Sequence, residues 1–72
     1  MKDSYTAILK QVDSWWVGWV EEIPGVNCQE ESKSELLQSL QVSLREALEL
    51  NRHDALDAAG EGYQEEQITY EA

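Results

Sequence analysis

The sequence predicts an α+β fold, a two-layer β-β-β-α-β sandwich in which one long helix crosses one face of a sheet. Three observations carry this reading. The run Trp15-Trp16-Val17-Gly18-Trp19-Val20 is rich in residues that suit a pleated surface, and another β-type run precedes it. Ile23-Pro24-Gly25 supplies a tight corner after it. Ser32-x-x-Glu35 then opens a stretch whose leucines recur at spacings of three and four. The chain has 72 residues, room for a single domain spanning residues 1–72.

Tyr5 to Val12 holds Tyr, Thr, Ile and Val in partial alternation and reads as the first strand. Asp13-Ser14 are turn formers, so Trp15 to Val20 completes a hairpin. Gly18, in the middle of the second strand, either weakens it or admits a close neighbour. Pro24 fixes φ and Gly25 permits positive φ, the pairing of a type II turn. Val26 to Gln29 returns as a short third strand, ended by Glu30-Glu31.

Ser32 is placed to accept a hydrogen bond from the Glu35 N–H while the Glu35 side chain reaches back to the Ser32 N–H, a capping box. Glu30, Glu31 and Glu35 put negative charge at the positive end of the helix dipole. Leu36, Leu37, Leu40, Leu44, Ala47 and Leu48 form one apolar stripe. The helix is expected to fade between Leu50 and Asp54. Ala55, Leu56, Ala58 and Ala59 then make either a short second helix or an extension of the first, broken by Gly60 and Gly62. Gln64 to Glu71, centred on Gln67-Ile68-Thr69-Tyr70, reads as a last strand.

Short links make the first three strands antiparallel neighbours. A right-handed crossover through the helix returns the last strand parallel to the first, for an expected order of three-two-one-four. The second strand turns Trp16, Gly18 and Val20 to one side and Trp15, Val17 and Trp19 to the other. The first strand turns Ile8 and Val12 one way, and Tyr5, Ala7 and Leu9 the other. Both faces are apolar, yet one long helix covers only one of them. An antiparallel sheet with a solvated face should alternate to polar residues. Either the segment from Asp54 to Gly60 covers the second face, or that face buries aromatics against another chain. A homodimer or higher homo-oligomer is the expected state, since so short a chain buries only about 60% of its unfolded surface.

The net charge is -10, from fifteen Asp/Glu against five Lys/Arg. It opposes binding to nucleic acid or to an anionic membrane, both of which need a basic surface. It favours solubility and attraction to a basic protein. Cys28 is the single cysteine, which excludes an internal disulfide and a multi-cysteine zinc site. The chain starts at Met1 without an apolar leader or a long apolar run, so the cytoplasm is the expected location.

No catalytic, metal or cofactor site is expected. His53 is the single histidine, between Arg52 and Asp54 near the helix end. Cys28 reads as a small strand hydrophobe with no base beside it. Glu21/Glu22, Glu30/Glu31 and Glu65/Glu66 are adjacent pairs, and neighbours in a strand point to opposite faces. The element order resembles part of the ribonuclease H fold. Enzymes of that fold carry a carboxylate within the first strand; Tyr5 to Val12 has none, and Asp13 lies at the turn. The protein is therefore expected not to be an enzyme.

An ordered set of motifs resembles the HicB-type antitoxins of bacterial toxin–antitoxin pairs. It comprises Tyr5-Thr6-Ala7-Ile8, Trp16-Val17-Gly18-Trp19-Val20-Glu21-Glu22-Ile23-Pro24-Gly25 and Gln29-Glu30-Glu31-Ser32-x-x-Glu35. That family typically shows Y-x-V-x-I, an aromatic strand ending in P-E-L-P-G-C, and T-Q-G-D-T-x-x-E-A before an amphipathic helix. The likeness covers roughly Tyr5 to Leu50, and the ending from Gly60 to Tyr70 is similar to short members. Glu21, Val26, Glu30 and Leu36 depart from the common Pro, Cys, Gly and Ala.

The resemblance implies the toxin-neutralising domain alone, since the chain ends at Ala72 without the DNA-binding segment that many members carry. The implied partner is a HicA-like toxin, a small basic RNA-cleaving protein. Trp15 and Trp19 are the expected anchors of that interface, with Glu21, Glu22 and Glu31 supplying charge complementarity. The alternative is a stand-alone homo-oligomeric domain with a small-molecule or regulatory role and no toxin.

Overall fold

A computed structural model describes residues 4–69. Strands β1 (Ala7–Val12), β2 (Trp15–Val20) and β3 (Asn27–Glu30) form an antiparallel sheet in the order β1-β2-β3, and helix α1 (Lys33–Ala59) packs on one face. This is a small α+β domain of one sheet layer and one helix.

Each junction has a local cause. Val12 pairs with Trp15, leaving Asp13-Ser14 as a two-residue loop, and φ is positive only at Asp13 (56°). That is the signature of a type II′ hairpin turn, whose twist matches the flanking strands. After β2, the Ile23 carbonyl accepts from the Val26 N–H at 3.4 Å, and Gly25 has φ 90°. Pro24-Gly25 therefore forms the expected type II turn. Ser32 is extended, and its Oγ accepts from the Glu35 N–H at 3.2 Å, which caps α1 as the sequence predicts. At the far end Gly60, with φ 71°, donates its N–H to the Leu56 carbonyl at 3.1 Å.

The buried core is Val20, Val26, Leu36 and Leu40, with Leu36 fully enclosed. Leu9, Trp16, Cys28 and Leu44 pack around it half-buried. Gly18 lets the layers meet. A Cβ there would stand 2.9 Å from the Ile8 carbonyl oxygen, 3.0 Å from Leu9 Cδ2 and 3.1 Å from Leu36 Cδ2. The glycine thus admits a close neighbour, which is Leu36. Two polar contacts join β3 to α1: Ser39 Oγ donates to Glu30 Oε2 at 2.5 Å, and Cys28 Sγ lies 3.5 Å from Ser43 Oγ.

Three expectations are corrected. The helix does not fade near Leu50; it continues unbroken to Ala59, so Ala55 to Ala59 extend it. Alanine and leucine have the highest helix propensities, and no breaker occurs before Gly60. Leu37 does not join the buried stripe and is 43% exposed. The step of about 100° from Leu36 turns it off the sheet-facing line, toward the open side beyond β1.

The fourth strand is the third correction. Residues 63–69 form no strand, and Ile68 is 94% exposed; Tyr70 and Glu71 lie outside the described residues. The expected order three-two-one-four is three-two-one among the described residues. Length explains this. A helix of 27 residues runs about 40 Å, whereas a six-residue strand runs about 20 Å. The far half of α1 therefore overhangs the sheet, and the molecule is elongated at 51 × 27 × 15 Å. The tail spends its residues on the return: at Glu65 it has come back only to Arg52, whose Nη1 is 2.7 Å from Glu65 Oε1.

Candidate protein-interaction face

The hairpin register decides which sheet face is bare. Gly18 and Val20 lie under α1, so Trp15, Val17 and Trp19 point away from it. Directly opposite them on β1 stand Val12, Lys10 and Ile8, in the pairs Val12–Trp15, Lys10–Val17 and Ile8–Trp19. On the other flank, Trp19 pairs with Asn27 and Val17 with Gln29. Neither α1 nor any other described element covers this side. The segment from Asp54 to Ala59 does not reach it, being the overhanging end of α1 on the opposite face.

The bare face is apolar at its centre. Trp15 and Trp19 are each 42% exposed and Val12 is 43% exposed, while Ile8 and Val17 are half-buried between them. Lys10 is its one charged strand residue. The tryptophans sit at opposite ends of β2, held by cross-strand pairing rather than by a loop. That rigidity lowers the entropy lost when they are enclosed by a partner.

Glu21 is exposed immediately after β2, two residues beyond Trp19, and Glu31 is exposed immediately after β3. Extending the β2–β3 register by one residue from Trp16–Glu30 sets Glu31 beside Trp15. One acidic residue therefore lies near each tryptophan. Glu22 is differently occupied. Its Oε1 accepts from the Thr6 N–H at 2.8 Å, and its Oε2 accepts from the Thr6 N–H at 3.1 Å and from Thr6 Oγ1 at 2.8 Å. It clamps the chain leading into β1 to the end of β2. The structure thus brings Trp15, Trp19, Glu21 and Glu31 to one side and gives Glu22 a structural task.

Sequence reasoning missed that clamp and the place of Lys10. A two-residue turn at Asp13-Ser14 forces residue pairs to sum to 27, which puts Lys10 opposite Val17 and Thr6 opposite Glu21. That arithmetic was the available signal.

The groups with chemical potential lie apart. Cys28 is half-buried under α1 beside Ser43. His53 is exposed, with Nδ1 3.8 Å from Asp54 Oδ1. Asp13 occupies the hairpin turn. Among the described residues no three His, Cys, Asp or Glu side chains gather as a metal-holding group. The Arg52 guanidinium is held above its ordinary pKa by the hydrogen bond to Glu65 and then by that carboxylate's charge, so it remains a fixed cation. No helix among the described residues is long and apolar enough to cross a membrane.

Compared with protein-family models, curated proteins and solved structures, the chain matches none. Its function is therefore argued from the face itself.

Proposed function

We propose that the chain is an antitoxin-type interaction protein that binds and masks a small, basic, RNA-cleaving partner of the HicA-like kind. One observation carries this: Trp15 and Trp19 stand uncovered on the face away from α1, in a chain of net charge -10. Tryptophan is the residue most enriched among interface anchors, and pockets on a partner that enclose both rings would supply most of the affinity. The acidic surface, with Glu21 and Glu31 nearest the rings, steers a basic partner into place and makes association fall with salt.

Masking then follows from electrostatics. A protein that cleaves RNA presents a basic surface to the phosphates. An acidic domain seated on that surface neutralises it and excludes RNA sterically. The chain acts without turnover and needs no cofactor. The HicB-like motifs support this reading, and with it a partial ribonuclease-H-like relation for β1, β2, β3 and α1 and a cytoplasmic location.

Co-expression with a small basic HicA-like toxin is the test. The intact chain restores growth and co-purifies with that protein, and binding weakens as salt rises. Trp15→Ser combined with Trp19→Ser abolishes both effects while the fold is retained. If the intact chain neither rescues growth nor binds, the antitoxin reading fails, and a stand-alone homo-oligomeric domain takes its place.

A further inference from the structure

The open edge of β1 is a second surface, separate from the bare face and independent of the antitoxin reading. Opposed residues in an antiparallel pair alternate between those that exchange backbone hydrogen bonds and those that do not. The Glu21 N–H donates to the Thr6 carbonyl at 2.9 Å, and this pair continues the Ala7–Val20 register. Thr6, Ile8, Lys10 and Val12 therefore direct their N–H and C=O groups toward β2. Ala7, Leu9 and Gln11 direct theirs outward, where no described strand lies. Such an edge is a template for another strand.

Two features select the occupant. Among the described residues the chain's own tail forms no strand, and it meets Arg52 at Glu65. Charge then distinguishes this edge from the other, β3, which ends in Glu30 and runs into Glu31. Two copies at -10 each repel, yet from Ser4 to Val12 the sequence has no acidic residue and one lysine. Of the two open edges it is the acid-free one, so two copies pair strands there with less repulsion than at β3.

We propose that β1 pairs antiparallel with β1 of a second copy, Leu9 against Leu9, to join two sheets into one of six strands. A twofold axis perpendicular to the sheet keeps both α1 helices on one side and both tryptophan faces on the other. Opposed residues must then share a face, so the paired numbers sum to an even value. Centring on Leu9 pairs Ala7 with Gln11, Leu9 with Leu9 and Gln11 with Ala7, and every outward N–H and C=O group within β1 is used. Centring on Lys10 leaves Ala7 without a strand partner and sets Lys10 against Lys10. Centring on Ile8 leaves Gln11 without a partner inside β1. Beside the edge runs an open apolar groove of about 210 Å³ lined by Tyr5, Ala7, Leu37, Gln41 and Leu44. The Leu9 register brings Gln11 of the second copy to its mouth, next to Ala7.

Sedimentation velocity on the full chain, from about 1 to 500 µM, the range in which weaker specific interfaces dissociate, tests this. The chain sediments as a dimer at the upper end. Ala7→Pro and Gln11→Pro each remove an outward N–H without touching a bond to β2, and each raises the dimer dissociation constant at least tenfold while circular dichroism stays native. If either proline variant unfolds, cross-linking decides. In a Cys28→Ser background, Ile8→Cys combined with Lys10→Cys forms intermolecular disulfides on oxidation and Lys10→Cys alone does not, because the Leu9 register makes Ile8 and the second copy's Lys10 a non-bonded antiparallel pair with Cα atoms about 4.5 Å apart, within disulfide reach. A monomer at every concentration overturns the proposal. So does a dimer lost on Trp15→Ser with Trp19→Ser but kept in folded proline variants, which moves the interface to the bare face. Loss of the dimer on truncation after Gly62 also overturns it, and assigns the edge to the tail.

Discussion

Alternate residues of β2 live in different worlds. Trp16, Gly18 and Val20 face α1, and there size is tightly controlled: Gly18 has no room for a methyl group, and Val20 is 5% exposed. Trp15, Val17 and Trp19 are just as apolar, but only strand neighbours hold them, and both tryptophans stay 42% exposed. Hydrophobicity is equal on the two sides; close packing is not. The first side holds the fold together, and the second adds little to it. With four side chains in the buried core among the described residues, a chain that leaves two tryptophans 42% exposed forgoes stability it could use.

The contrast breaks most sharply at Leu36. Leu36→Ala removes a fully enclosed side chain and should destabilise the domain by about 2–5 kcal/mol, with Leu44→Ala at the half-buried Leu44 toward the low end or below it. Chemical denaturation measures both, and equal losses would mean that the packing gradient along α1 is misjudged. Gly18→Ala probes the same side by addition. The new methyl meets backbone at the Ile8 carbonyl, which cannot swing aside, so a cost of about 1–3 kcal/mol is expected. A thermal melt unchanged from the parent would show that the two layers separate easily.

On the bare side the effects shrink. Trp15→Thr and Trp19→Thr keep a strand-forming residue and lose cross-strand contact, roughly 0.2–1 kcal/mol each. A loss as large as that of Leu36→Ala would place the tryptophans in the core rather than at an interface. Lys10→Glu should alter stability by less than about 0.5 kcal/mol, as for most surface changes, while speeding association with a basic partner at low salt. Stopped-flow rates against ionic strength check the second half; an unchanged rate would mean that Lys10 lies outside the footprint, and a slower one that the partner is not basic there.

The readable parts of the sequence were those whose cause is local. Asp13-Ser14, Pro24-Gly25 and Ser32-x-x-Glu35 each specify their own geometry within four residues, and all three turns or caps form. The choice of face was not readable from hydrophobicity, because both sides of β2 are apolar. The one asymmetric residue was Gly18, and its meaning depends on Leu36, eighteen positions away. The polar run Asn51-Arg52-His53-Asp54 resembles a terminus, while Ala55 to Ala59 sustain the helix. That end point bears on the tail. Gln67-Ile68-Thr69 has strand composition, but pairing requires reach, and reach is set by where α1 stops. Of the residues expected at an interface, Trp15, Trp19, Glu21 and Glu31 fall on the bare side, whereas Glu22 is taken up in a clamp that depends on hairpin register.

The overhang of α1 divides the molecule's cooperativity. From about Leu48 onward the helix has no sheet beneath it, and a free helix of about a dozen residues is marginal in water. The exposed Arg52–Glu65 pair is a weak tether. Amide protons near Leu40 are released only when the whole domain opens, whereas those near Ala58 are released by fraying from Gly60 backward. A single unfolding free energy therefore describes the sheet-backed half alone; the far half follows its own helix–coil equilibrium, which crowding, osmolytes or a ligand along it can shift without touching the core.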